Sequence, residues 1–214
     1  MVELKNRRPL NSRSTGWAQV ITRRLADANV TPNQISAASV VFAALSGLCF
    51  AGVAWSEGAL RIAFLVAAGL FVQLRLLCNL FDGMVAVEAG QATATGPFWN
   101  EVPDRPADIL ILVGVGIGAG APTVGWAAAV LAVFIAYLRA FGVSLGQNAD
   151  YAGPMAKQHR MAAVTFAAVT GAVLSVWVDA MLILHLTLWV VILGEILTVF
   201  RRAWRIYTRL LRGS

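Results

Sequence analysis

Apolar residues fall in long unbroken runs along most of this chain, not in narrow stripes. Runs of about 20 apolar residues cross a bilayer core as helices, because a helix satisfies its own backbone polar groups. Six runs are predicted to do so, at 35–55, 59–81, 102–120, 122–145, 161–178 and 180–200. The third is apolar only from Ile109 onward. The alternating pattern of a membrane barrel is not visible. A different pattern precedes the first run. Trp17, Val20, Ile21 and Leu25 recur at helical spacing, with Gln19, Arg23 and Arg24 away from them. This predicts an amphipathic helix over 14–29, lying in the membrane interface. Thr31, Pro32 and Gln34 then suit the N-cap, first position and capping-box position of a new helix. Residues 201–212 read as a basic amphipathic helix on the inner leaflet.

Composition agrees with that pattern. The chain is 58% hydrophobic and 13% charged, with mean hydropathy +0.71. A soluble domain carries roughly twice that charged fraction. The net charge of +6 is concentrated at one set of run ends. Lys5, Arg7, Arg8, Arg13, Arg23 and Arg24 precede the first run, and Arg201, Arg202, Arg205, Arg209 and Arg212 follow the last. Arg105, Lys157 and Arg160 lie in loops of the same side, Arg75 and Arg139 near it, and only Arg61 opposite. The positive-inside rule places both termini in the cytoplasm. The basic balance therefore calls for an anionic lipid surface and not nucleic acid. The expected fold is an all-α membrane protein of six transmembrane helices. Residues 1–30 form a tail and interfacial helix, 31–200 the membrane domain, and 201–214 a basic C-terminal helix. Polar residues at the start give no cleavable signal, so the inner cell membrane is the expected location. Cys49 and Cys78 have no metal or disulfide spacing and read as small core residues. Gly114, Gly116, Gly118 and Gly120 alternate in the third run and predict close helix packing.

Ionisable residues at membrane depth are functional candidates by default. Asn79 and Asp82 share a helix face, as do Asn100, Asp104 and Asp108. The two faces belong to consecutive helices joined by an inner loop, so they can meet in one cleft. Gly83 leaves room for a ligand to approach the backbone. Oxygen donors without Cys or His select magnesium, manganese or calcium over zinc. A hard cation in a phosphate-handling site neutralises a diphosphate. The competing reading of these residues is a buried carboxylate cluster paired with Arg75, Arg105 and Arg139.

Here the sequence resembles the CDP-alcohol phosphotransferase family, whose signature is D-x-x-D-G-x-x-A-R-x8-G-x3-D-x3-D. Aligned without a gap, Asn79 and Asp82 take the first two Asp positions, Gly83 and Ala86 the Gly and Ala, and Gly96 the second Gly. Asn100 takes the third Asp and Asp104 the fourth. The preserved eight-residue gap carries the match. It extends outward through the six runs, the N-terminal helix and the opening Thr31, Pro32, Asn33, Ile35. The departures are Asn79 and Asn100 in place of Asp, and Val87 in place of Arg. Asp108, Glu101 or Glu88 could restore lost charge, and a shifted alignment would move the base from Asp104 to Asp108.

The resemblance implies an enzyme of phospholipid biosynthesis. It would move a phospho-alcohol group from a CDP-alcohol, most often CDP-diacylglycerol, to an acceptor hydroxyl, releasing CMP. Asn79, Asp82, Asn100, Asp104 and Asp108 are then the candidate ligands of Mg2+ or Mn2+. Asp104 is the candidate base, with Asp108 second. Asn33, Asp82, Gly83, Ala86 and Gly96 would hold the nucleotide. Arg105, Arg139, Lys157, His159 and Arg160 would suit an anionic acceptor, although the positive-inside rule also explains them. The family implies a homodimer. His185 and Glu195 are expected to make packing contacts, Glu195 with an Arg. Two other functions stay open: a non-catalytic lipid- or nucleotide-binding relative, and a small transporter. The polar cluster at one membrane edge, not at mid-depth, disfavours the transporter.

Overall fold

Helices account for the regular structure of the computed structural model, which describes residues 15–88, 90 and 94–213. The basic tail before residue 15 and the side chain of Glu88 lie outside the described residues. In chain order the helices are α1 (Gly16–Asp27), α2 (Pro32–Gly52), α3 (Gly58–Glu88), α4 (Gly96–Glu101), α5 (Asp104–Gly118), α6 (Pro122–Ser144), α7 (Lys157–Leu174) and α8 (Ala180–Gly213). A single 3-10 turn, Val53–Trp55, extends α2.

Local chemistry explains the first junction. Asn29 adopts φ +55°, a left-handed conformation that Asn tolerates, and reverses the chain after α1. Thr31 Oγ1 then accepts from the Gln34 N–H, and Gln34 Oε1 accepts from the Thr31 N–H, closing the expected capping box. Pro32 opens α2 where its missing N–H costs nothing. On α1, Trp17, Val20 and Ile21 are exposed, while Ala18 and Thr22 are buried against α3. Trp17 meets Phe81 edge-on at 6.1 Å. The helix thus rests on α3 by its small residues and keeps an open apolar face, as an interfacial helix requires.

Four helical segments are long and apolar enough to cross a membrane: Pro32–Trp55, Gly58–Val87, Pro122–Ser144 and Ala180–Arg212. The remaining two predicted runs form shorter helices. α5 has 15 residues, so it spans roughly 22 Å at 1.5 Å per residue. α7 has 18 residues and spans roughly 27 Å. Two boundaries also differ from expectation. α3 continues past 81 to Glu88, so Asp82, Gly83 and Ala86 lie within the helix. α8 runs unbroken to Gly213, because no Gly or Pro interrupts the passage from apolar to basic sequence. The basic C-terminal segment is therefore the end of a 34-residue helix, not a separate one.

Packing is tightest where glycines face each other. A Cβ at Gly114 would overlap the backbone of Gly47, and one at Gly118 the carbonyl of Phe50. These two residues bring α5 onto α2. Gly116, on the opposite side, meets Gly125 of α6. Gly120 does something else: at φ +67° it ends α5 and turns the chain. At the far end from the polar cluster, Arg61 Nη1 pairs with Asp179 at 3.2 Å and its Nε donates to the Ser56 carbonyl. The single basic residue of that end thus joins α3 to the α7–α8 turn.

The surface and interior are reversed relative to a soluble protein. Leu48, Val66, Val130, Phe134 and Leu193 point outward, while Arg75, Asp108, Arg160 and Glu195 are buried. These buried charges lie at one end of the bundle, where α3, α5, α7 and α8 meet.

Candidate active site

Arg75, Asn79 and Asp82 recur at four and three residues along α3 and share one face. Asp104 and Asp108 recur one turn apart on α5. Pro103 is the N-cap of α5 and Pro106 lies in its first turn, where proline is tolerated. Asp104 is therefore the first residue of the helix, at the positive end of its dipole. Helix α7 begins with Lys157 and adds Arg160 three residues on. Helix α8 contributes Glu195.

These side chains form one ionic network. Asp108 Oδ1 accepts from Arg75 Nη2 at 2.7 Å, and its Oδ2 accepts from Arg160 Nη2 at 2.6 Å. Arg160 Nη1 donates to Glu195 Oε1 at 3.0 Å. Arg75 Nη2 also reaches Asp104 Oδ1 at 3.3 Å. The Asn79 amide donates to the same oxygen at 3.2 Å. Lys157 forms a salt bridge to Asp104 Oδ2, with Arg105 Nη2 at 3.6 Å from that oxygen. Pairing of this kind is what permits charges at such depth. Four donor atoms of the network, Arg75 Nε and Nη1, Arg105 Nε and Arg160 Nε, are buried with no hydrogen-bond partner in the described structure.

Asp82 differs. It is 5% exposed, and it accepts from Ser36 Oγ at 2.7 Å and from the Gly83 N–H at 2.5 Å. Among the described residues, no Lys or Arg stands at ion-pair distance from it. It is a buried carboxylate held by neutral donors.

The rim carries the remaining candidates. Asn100 and Gly96 lie on α4, with Asn100 exposed. Asn33 donates to Thr95 Oγ1 at 3.3 Å, just before Gly96. Glu101 pairs with Arg105 at 3.3 Å and with Arg139, whose guanidinium lies 5.2 Å from the Tyr151 ring centre. His159 is exposed. Arg160 is 1% exposed and bound on both sides by acids. The loop before α7 is pinned by Asp150. Burial alone would raise its carboxyl, but the Ala152 N–H at 2.8 Å and Arg205 at 3.1 Å outweigh this and hold it below the ordinary carboxylate range.

The sequence brought Asn79, Asp82 and Asp104 to attention; α3 and α5 join Asn79 to Asp104, and Asp82 lies one turn further along α3. The sequence also paired Arg75 and Arg105 with the carboxylates in its competing reading, and both pairings are present; it did not single out Ser36. The signal for Ser36 was faint: Ser36, Ser39, Ala43, Ser46 and Gly47 form a stripe of small residues on the buried face of α2. Glu195 pairs with Arg160 as expected of it. His185 makes a packing contact, accepting from Trp189 Nε1 at 3.0 Å.

The donors can be tested against the divalent cation that the resemblance implies. Carboxylates of Asp82 and Asp104, with the Asn79 amide, are hard oxygen donors and suit magnesium or manganese. The buried carboxylate of Asp82, held by neutral donors alone, is the feature that calls for positive charge. Among the described residues no three His, Cys, Asp or Glu side chains gather about one point. A hard cation here would draw on two carboxylates and one amide, not on a ring of acids.

No protein-family model matches the chain. A curated relative, the bifunctional IPC transferase and DIPP synthase of Rubrobacter xylanophilus, is 36% identical over 120 residues. That match covers 54% of this chain but only 25% of the relative, so the chain spans about a quarter of the relative's length. Among solved structures, Mycobacterium tuberculosis phosphatidylinositol phosphate synthase with manganese and citrate superposes with a TM-score of 0.74. It is 19% identical, and the superposition covers 89% of each chain. The same synthase with CDP-DAG bound gives the same score and identity over 89% of this chain and 94% of that one. The chain thus has the fold of phosphatidylinositol phosphate synthase, in agreement with the CDP-alcohol phosphotransferase resemblance carried by its 79–104 motif.

Proposed function

We propose that this chain is a membrane CDP-alcohol phosphotransferase. It moves a phosphatidyl group from CDP-diacylglycerol to an acceptor hydroxyl and releases CMP. The observation that carries the reading is the Asn79–Asp104 hydrogen bond, with Asp82 one turn away. It joins the two halves of a spaced motif, drawn from different helices, at one point. The fold shared with a synthase that binds CDP-DAG, and the local match to an IPC transferase, support it.

In this reading Asp104 accepts the proton of the acceptor hydroxyl. The acceptor oxygen bonds to the phosphorus carrying the lipid alcohol, and the bond from that phosphorus to CMP breaks. Asp82, Asp104 and Asn79 would hold a divalent cation, which when bound would supply positive charge against the diphosphate and the departing CMP. Gly83, Ala86 and Gly96 leave room for the nucleotide, and Asn33 positions the segment at Thr95 and Gly96. Asp108 serves as the support that orients Arg75 and Arg160, which leaves Asp104 as the base. Arg105, Arg139 and the exposed His159 form the rim that meets an anionic acceptor. Six crossings, both termini and the site on the cytoplasmic side of the inner membrane, and a homodimer complete the proposal.

The test is CMP release from labelled CDP-diacylglycerol with a panel of acceptor alcohols, with and without Mg2+ or Mn2+. Asp104→Asn is expected to lower turnover by at least about 100-fold, the scale of a lost general base, while the protein stays folded. Wild-type rates in that variant would remove Asp104 from the role.

A further inference from the structure

We propose that Lys157 is a tethered cation of the two motif carboxylates, holding the cation position at Asp104 and giving it up to a divalent ion. The inference deepens the functional reading and rests on Asn79, Asp82 and Asp104 being a cation site.

The first ground is the difference between the two aspartates. Asp82 and Asp104 are both buried, at 5% and 8% exposure. Asp82 receives only a hydroxyl and a backbone N–H. Asp104 receives the Lys157 ammonium on the oxygen not used by Asn79 and Arg75. Among the described residues no cation pairs with Asp82 directly, and the ammonium on Asp104 is the one bound to the partner motif carboxylate. One ammonium, bound to Asp104, is thus the cation that both carboxylates face. A buried carboxylate with neutral donors alone is costly, so the ammonium stabilises the cleft when no other cation is there.

The second ground is which cation can leave. Arg75 is wholly buried and lies closer to Asp108, at 2.7 Å, than to Asp104, at 3.3 Å. Arg105 stands 3.6 Å from Asp104 and is shared with Glu101. Lys157 is different: its side chain is 26% exposed and Asp104 is its acid partner. A lysine is a compact charge on a flexible four-carbon stem, able to swing toward solvent or toward an arriving phosphate. It also starts α7, so its movement does not disturb a helix interior.

The third ground is charge. Asn79 and Asn100 stand where the signature has aspartates, which removes two negative charges from the cleft. A resident ammonium then neutralises one of the two carboxylates that remain. A divalent ion entering this site must displace or repel that ammonium, so its apparent affinity is set by Lys157.

The test is Mn2+ binding to the purified full-length protein in nanodiscs, read by electron paramagnetic resonance of the free ion, without turnover. Lys157→Gln keeps the length of the side chain and removes the charge. It is expected to bind Mn2+ about tenfold more tightly than wild type, the effect of removing a neighbouring unit charge. Lys157→Arg is expected to bind like wild type. Combining Lys157→Gln with Asp82→Asn is expected to abolish the gain. Unchanged affinity in Lys157→Gln, or no binding by it, overturns the inference, as does a gain that survives Asp82→Asn. CMP release measured on the same preparations keeps the two readings apart. Its absence in wild type removes the enzyme assignment, while tighter Mn2+ binding in Lys157→Gln still upholds the tethered cation.

Discussion

Asp108 and Asp104 sit one turn apart, yet their environments differ. Both oxygens of Asp108 are taken by guanidinium groups, and its side chain is 2% exposed. Asp104 has a side chain 12% exposed and partners that include the lysine at the cleft. Removing the Asp108 charge leaves Arg75 and Arg160 short of a partner where water does not reach. Asp108→Asn is expected to destabilise the protein by about 3–5 kcal/mol, read as a fall in thermal midpoint in one detergent. Asp104→Asn is expected to cost clearly less, because its exposed side admits water. Equal losses would mean that Asp108 is not the support of the network. At this scale the sequence was partly legible. Asn79, Asp82, Asp104 and Asp108 could be placed by helical spacing within one short stretch. Ser36 with Asp82 and Arg160 with Glu195 could not, because the partners stand 46 and 35 residues apart. Only the packing of α2 on α3, and of α7 on α8, brings them together.

Elements show the same division between local and distant causes. The capping box at Thr31 and Gln34 and the proline-marked start of α5 are local, and the sequence announces both. α4, six residues of helix between α3 and α5, has no periodic pattern long enough to announce it. The glycines of α5 were legible as a packing surface, but not their division of labour. Gly114 and Gly118 face α2, Gly116 faces α6, and Gly120 ends the helix. Position 114 gives a direct test. Its Cβ would strike the backbone of Gly47, which cannot move aside as a flexible side chain can. Gly114→Ala is expected to cost about 1–3 kcal/mol through overpacking and to move Asp104 relative to Asn79. Gly16→Ala, where a Cβ meets nothing within 4 Å, serves as the control and is expected to leave stability unchanged. Equal thermal midpoints for the two variants would show that α2 and α5 do not depend on that close approach.

Across the whole molecule, helix length and helix position are related. The two helices that carry most of the charged network, α5 and α7, are not among the four long apolar ones: α5 has 15 residues, and α7, with 18, misses by composition. Nine of the 15 residues of α5 are buried, so its surroundings are other helices more than lipid. A helix packed inside a bundle can be short and carry charge, because its neighbours satisfy it. Counting α5 and α7 as crossings gives six and returns the chain to the side on which it began. Counting only the four longest helices also gives an even number, so the termini alone do not decide between the two. The loop at Asn148 and the turn at Glu57 do. With six crossings, Asn148 between α6 and α7 shares a face with Arg212, and Glu57 between α2 and α3 lies opposite. Without a crossing at α5, or at α7, that arrangement breaks. Single cysteines introduced as Glu57→Cys, Asn148→Cys and Arg212→Cys, in a chain with Cys49 and Cys78 replaced by serine, can be labelled with an impermeant maleimide. Asn148→Cys and Arg212→Cys are expected to react from one side of sealed vesicles and Glu57→Cys from the other. If Asn148→Cys instead labels with Glu57→Cys, the start of α7 that carries Lys157 and Arg160 does not share a side with the end of α3 that carries Asp82, and the six-crossing arrangement fails.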